Sequence, residues 1–142
     1  MTNLEIFEGL EARQTFEVTG DLLDSFIQLS GDSSRLHIDD KFAINQGFDS
    51  RIVHGALLLS LVSQFVGLTL PGPKGLWLGF TTSFPNPCYA PCGITVHGVV
   101  SLVSIATNSI QQDISVTDDI DRVVLQATSR HKLLTVIEVD NG

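Results

Sequence analysis

From Arg13 to Val18 the chain alternates, with Thr15 and Glu17 on one side and Phe16 and Val18 on the other, the period of a half-buried strand. The period then changes. Thr19 or Asp21 is placed to cap a helix whose apolar face is Leu22, Leu23, Phe26, Ile27 and Leu29, and Gly31 terminates it. A shorter helix is predicted from Asp39 to Asn45, with acidic residues in its first turn, Phe42 and Ala43 turned inward and Gly47 closing it. After a loop over Phe48 to His54, an almost wholly apolar helix runs up to Pro71-Gly72-Pro73, a triplet that neither continues a helix nor joins a central strand. Beyond Gly75 the residues turn to Val, Ile, Thr and aromatics, predicting strands over Leu76 to Phe84, Ile94 to Ile105, Ser109 to Thr117 and Arg122 to Val139.

One strand, then helices, then a run of strands argues for an α+β fold with an antiparallel sheet and helices on one face. The long helix is hydrophobic nearly all round, so both its sides need cover, and a curved sheet wrapped around it would supply that. The edge of such a sheet is expected to pair with a second copy. No repeat, linker or low-complexity segment interrupts the chain, and residues 1–142 read as a single domain. A 43% hydrophobic and 17% charged composition is ample for its core.

Charge and composition then narrow the partners. A formal charge of −8 repels polyphosphate and argues against nucleic acid. The apolar run Ala56 to Leu70 is interrupted by Ser60, Ser63, Gln64 and Thr69 and falls short of the ~20 residues that span a membrane. Met1 to Arg13 carries Glu5, Glu8 and Glu11 and lacks the basic and apolar regions of a secretory signal. Two close cysteines, Cys88 and Cys92, make no disulfide framework. A cytoplasmic protein is expected. Cys88, Cys92 and His97 fall short of a closed zinc site, and no metal is expected. His97 and His131, on predicted strands, read as surface or partly buried fillers.

The candidate chemistry lies between the helices. Asp32 and His37 stand five residues apart among small polar residues in a probable turn, a spacing that lets a carboxylate and an imidazole share one cavity as an acid/base pair. On the same spacing Asp32 could simply form the turn and His37 be a satisfied, partly buried histidine. Gly55 opens the long helix, where backbone amides have no partner within the helix and could hold developing negative charge on a thioester oxygen. Alternatively, Gly55 only permits close packing, and His54 before it is a cap or a core residue. Ser60, Ser63, Gln64 and Gly67 recur at helical spacing, a stripe that could line an acyl tunnel through Ser63 or admit a partner helix.

Taken together, Ser30-Gly31-Asp32 with Leu36-His37, then Phe42-Ala43, Gly47-Phe48, Arg51-Ile52-Val53-His54-Gly55 and Leu70-Pro71-Gly72 closely resemble the MaoC-like, (R)-specific enoyl-CoA hydratase family, most clearly from Phe26 to Pro87. The resemblance implies a hot-dog fold, a curved antiparallel sheet around a central helix, assembled as a homodimer or dimer of dimers. It implies reversible hydration of trans-2-enoyl thioesters of coenzyme A or a carrier protein, with no further cofactor. Asp32 and His37 match the catalytic pair acting on water, Gly55 the oxyanion-hole donor and Ser63 a supporting polar residue.

Two stretches depart from the family pattern. Ser34-Arg35 stands where relatives usually carry Asn-Pro, and Tyr89-Ala90-Pro91-Cys92 where they tend to carry Gly-Asp. Loss of proline loosens the loop or frees Arg35 for a new anionic contact. Arg35, Arg51 and Lys74 are the cations nearest the motif for coenzyme A phosphates. An Asp is a poor base near neutrality unless desolvated, so Phe26, Phe48 and the helix are expected to enclose Asp32 in an apolar site. The rival readings are a thioesterase on the same fold, marked by release of free thiol, and a non-catalytic acyl-thioester-binding subunit, marked by binding without turnover.

Overall fold

In the computed structural model, residues 5–135 are described. The elements follow the order β1 (Glu11–Val18), α1 (Gly20–Ser30), α2 (Arg35–Ile38), α3 (Asp40–Asn45), α4 (Gly55–Leu68), β2 (Gly75–Ser83), β3 (Cys92–Ser104), β4 (Ser109–Thr117) and β5 (Val123–Leu133). The strands form one antiparallel sheet in the order β1-β3-β4-β5-β2. The predicted end of the last strand, residues 136–139, lies outside the described residues.

Local signals account for the helix ends. Thr19 Oγ1 accepts the Leu22 amide at 3.1 Å and caps α1, as Ser/Thr hydroxyls do for the first unpaired amides. Gly31 closes α1 with φ 73°, a left-handed turn that glycine makes without a β-carbon clash. Asp39 Oδ1 accepts the Phe42 amide and caps α3. The single turn α2 is an element the sequence reading leaves as a turn. Four residues show no helical period, and this turn is held from outside, by the Ile52 amide donating to Leu36 O at 2.7 Å.

The core lies between α4 and one face of the sheet. Leu57, Leu58, Val62, Phe65 and Val66 of α4 are buried, as are Ile94, Val96 and Val100 of β3, Ile110, Ile114 and Val116 of β4 and Leu125 of β5. At about 1.5–3 kcal/mol for each fully buried large side chain, this contact outweighs any intrinsic helix preference. Two polar ties fix the end of the helix: Thr69 Oγ1 donates to Gln14 Oε1 of β1 at 3.0 Å, and Gln112 Nε2 of β4 donates to Leu70 O at 2.7 Å.

The sheet covers one side of α4 and not both. Ser60, Ser63, Gln64 and Gly67 face outward, because the apolar ridge takes the sheet and leaves the small and polar stripe on the opposite side. No described helix is long and apolar enough to cross a membrane.

Candidate active site

The segment between α1 and α2 is a chain of short-range hydrogen bonds. Ser30 Oγ donates to Phe26 O at 2.8 Å and accepts the Asp32 amide at 3.1 Å. Asp32 Oδ1 in turn accepts the Ser34 amide at 3.2 Å, an Asx turn that fixes the carboxylate and leaves Oδ2 uncommitted.

His37 projects from α2 toward that free oxygen. Its Nδ1 lies 2.6 Å from the Ile52 carbonyl, which only accepts, so Nδ1 carries the hydrogen and, in the neutral ring, Nε2 presents its lone pair. Nε2 stands 3.8 Å from Asp32 Oδ2, too far for a direct hydrogen bond. Two acceptors thus face each other across a gap.

His54 lies beneath them, 1% exposed. Its ring stacks on that of His37 with centroids 3.8 Å apart and planes at 21°, and packs against Phe26 on another side at 4.9 Å. Its Nε2 donates to the Asp32 carbonyl at 3.0 Å. Its own backbone carbonyl accepts the Leu57 and Leu58 amides, so the same residue opens α4. The amides that follow, Gly55 and Ala56, meet no acceptor among the described residues, and the positive end of α4 is directed there with no acidic side chain in its first turn. The Phe84 ring closes over Gly55: a β-carbon there would lie 2.7 Å from Phe84 Cζ, so any larger residue has to push the ring aside.

The structure brings together Asp32, His37 and the start of α4 at Gly55, and it adds His54, which the sequence reading left as a cap or core residue. Ser63 is not drawn into this cluster. It lies two turns farther along α4, roughly 12 Å by helical rise, faces outward, and its hydroxyl has no partner among the described residues.

The two arginines expected to meet phosphate are already paired. Arg35 Nη2 bonds Asp39 Oδ2 at 3.2 Å while its guanidinium lies 4.2 Å over the Phe42 ring, tying α2 to α3. Arg51 Nη1 bonds Asp24 Oδ1 at 2.8 Å and the Arg51 amide donates to Asp40 Oδ1, tying the loop before α4 to α1 and α3. Lys74 lies past the far end of α4 from Gly55.

The apolar enclosure expected around Asp32 is also absent within one chain. Phe26 packs on His54 instead, and the Asp32 side chain is 49% exposed. The Ser34 amide, followed by the Ser34 hydroxyl, holds the Asp32 carboxyl below its ordinary value of 3.8. Asp32 is therefore a firmly ionised carboxylate.

Donor atoms of Asp32, His37 and His54 lie within 4.8 Å of one another, a grouping of the kind that ligates metal. Stacking sets the two imidazole planes side by side, so their in-plane lone pairs do not converge. With His54 Nε2 and His37 Nδ1 engaged by carbonyls and His54 Nδ1 buried, the open donors are one carboxylate and one nitrogen, fewer than the three protein ligands of a catalytic zinc site. Elsewhere, Cys88 and Cys92 lie 3.5 Å apart in the core, whereas His97 leaves the other face of β3 to meet Glu11. His131 is fully buried, its Nε2 accepting from Gln112.

Residues 3–121 match the MaoC like domain family. The chain belongs to that family. An (R)-specific enoyl-CoA hydratase of Aeromonas caviae is 37% identical to this MaoC-like chain over 89 residues, 63% of the chain and 66% of the relative. A 3-hydroxybutyryl-CoA dehydratase of Methylorubrum extorquens is 32% identical over 85 residues, 57% of the chain and 54% of the relative. The alignments thus span just under two thirds and about half of those relatives' lengths. The solved structure of an (R)-hydratase from A. caviae superposes with a TM-score of 0.86 at 27% identity, covering 92% of this chain and 99% of the other. The architecture of this MaoC-like chain is accordingly the hot-dog fold.

Proposed function

We propose that the chain is a hydro-lyase that adds water reversibly to trans-2-enoyl thioesters, giving (R)-3-hydroxyacyl thioesters of coenzyme A or a carrier protein. The observation that carries this reading is the pair of acceptors, Asp32 Oδ2 and His37 Nε2, 3.8 Å apart beside the start of α4. A water shared by them gives one hydrogen to each and turns its oxygen lone pair toward the substrate's β-carbon. As the C–O bond forms, the water's proton passes to the open Nε2 of His37. Asp32, held ionised, orients the water and stabilises the imidazolium. The thioester oxygen gathers the enolate charge against the Gly55 and Ala56 amides. The imidazolium of His37 then gives that proton to the α-carbon, which completes the addition of H and OH across the double bond and restores the pair.

The half-exposed Asp32 and the outward stripe of α4 support a dimeric enzyme. Of the two edge strands, β1 turns Glu11, Arg13, Thr15 and Glu17 outward, whereas β2 exposes Leu76, Leu78 and Phe80. A charged edge resists pairing and an apolar one invites it, so β2 is the edge at which a second copy joins. Phosphate of the carrier competes with Asp39 or Asp24 for Arg35 or Arg51.

The test is the loss of enoyl absorbance on mixing the protein with crotonyl-CoA and longer 2-enoyl-CoAs. Hydration to the (R)-3-hydroxyacyl product is expected. Release of free thiol would assign the site to thioester hydrolysis, and tight binding without turnover would make the chain an acyl-thioester-binding subunit; either overturns the reading.

A further inference from the structure

We infer that His54 is a positioning residue for the acid/base pair, holding the Asp32 backbone and the face of the His37 ring against the first turn of α4. This role rests on the hydratase reading of the site. One buried side chain touches both partners of the pair: Nε2 reaches the Asp32 carbonyl at 3.0 Å, 22 residues away in sequence, and the ring lies flat beneath His37 at 3.8 Å. The residue's backbone carbonyl starts α4 by accepting the Leu57 and Leu58 amides. A carboxylate, an imidazole and a pair of open amides, drawn from three separate segments, therefore share one rigid post.

A residue chosen only to fill the core would not be a histidine. His54 is 1% exposed, its Nδ1 is buried without a hydrogen-bond partner, and an orphaned buried polar atom is destabilising. A leucine would fill the space without that cost, so the imidazole is retained for what its other nitrogen and its flat face do. The restraint on His37 is then complete. Ile52 O holds the ring's edge, His54 holds its face, and only Nε2 is left open, toward Asp32. Asp32 is held likewise, through its side chain by the Ser34 amide and through its carbonyl by His54. Reacting groups displaced by about 1 Å lose on the order of 100-fold in rate, which sets the scale of what this post protects.

The experiment compares His54→Leu with His54→Gln in the enoyl-CoA hydration assay, with wild type and Asp32→Asn alongside and melting temperatures recorded for all. Leu restores an apolar core without a donor; Gln places an amide N–H near the position of Nε2. A positioning role predicts that His54→Leu loses about 10- to 100-fold in kcat with KM within twofold, and that His54→Gln recovers most of that loss although it is the less stable variant. A kcat for His54→Leu equal to wild type, or equal to or above that of His54→Gln, overturns the inference. Should His54→Leu not fold, His54→Phe, which keeps a ring against Phe26 and His37 but has no donor, takes its place under the same ordering. Inactive wild type overturns the hydratase reading itself. Active wild type with inactive Asp32→Asn and unaffected His54 variants overturns only the positioning role of His54.

Discussion

His37 Nε2 faces Asp32 Oδ2 at 3.8 Å, and the opposite ring nitrogen of His37 is fixed on the Ile52 carbonyl. Because a carbonyl only accepts, this bond decides the tautomer of the neutral ring and turns its lone pair toward the carboxylate. A pair of acceptors cannot bond to each other, but both can hold one water. Replacing the carboxylate by an amide puts a donor or a weaker acceptor where the water's hydrogen is received. Asp32→Asn is expected to lower kcat by about 10²- to 10⁴-fold, the range of positioned acid/base groups, with the melting temperature little changed because the side chain is half exposed. Steady-state hydration kinetics with crotonyl-CoA measure it.

Gly55 lies under the Phe84 ring, whose Cζ would stand 2.7 Å from a β-carbon at that position. Gly55→Ala is expected to lose about 1–3 kcal/mol of stability through overpacking, and adding Phe84→Ala should restore most of it, since the three nearest atoms to a β-carbon there all belong to that ring. Thermal denaturation of the two single variants and the double variant checks the pattern.

His131 is buried beside Gln112 and Trp77, and desolvation pushes its pKa down from 6.5 to about 4. The unfolded chain therefore takes up this proton first as the pH falls. Stability from this residue is whole above pH 6.5 and declines between 6.5 and about 4, by up to about 3 kcal/mol at ~1.4 kcal/mol per pH unit. Urea unfolding at pH 7 and pH 4.5 should show a smaller difference for His131→Leu than for wild type.

The β2 edge carries the proposed dimer. Leu78, 50% exposed midway along that strand, is the residue to charge. Leu78→Lys should shift the protein toward monomer in sedimentation velocity and lower hydration activity with it.

Much of this architecture is legible in the chain because it rests on local signals. Thr19 and Gly31 bracket α1, the proline-glycine triplet ends α4, and alternation marks the strands, each through chemistry confined to a few neighbours. Asp32, His37 and Gly55 were also readable, since their motifs lie close together. What escaped depends on partners distant in sequence. The turn α2 exists because Ile52 holds Leu36 and His37, and His54 gains its place from a carbonyl 22 residues earlier. Arg51 is neutralised by Asp24, 27 residues earlier, whereas the Arg35–Asp39 pair is local and follows once α2 places residues four apart on one face. Asp32 and the α4 stripe are exposed in the single chain, and in the proposed dimer their enclosure falls to the second copy and the substrate.

The central claim is that Asp32 and His37 act as one unit on one water, and the double-mutant cycle of Asp32→Asn and His37→Ala in the hydration assay tests it most directly. If they form such a unit, the double variant is no slower than the slower single variant, because removing either group already abolishes the shared function. Losses that multiply, with the double variant slower by the product of the two single effects, would show two independent groups and contradict it.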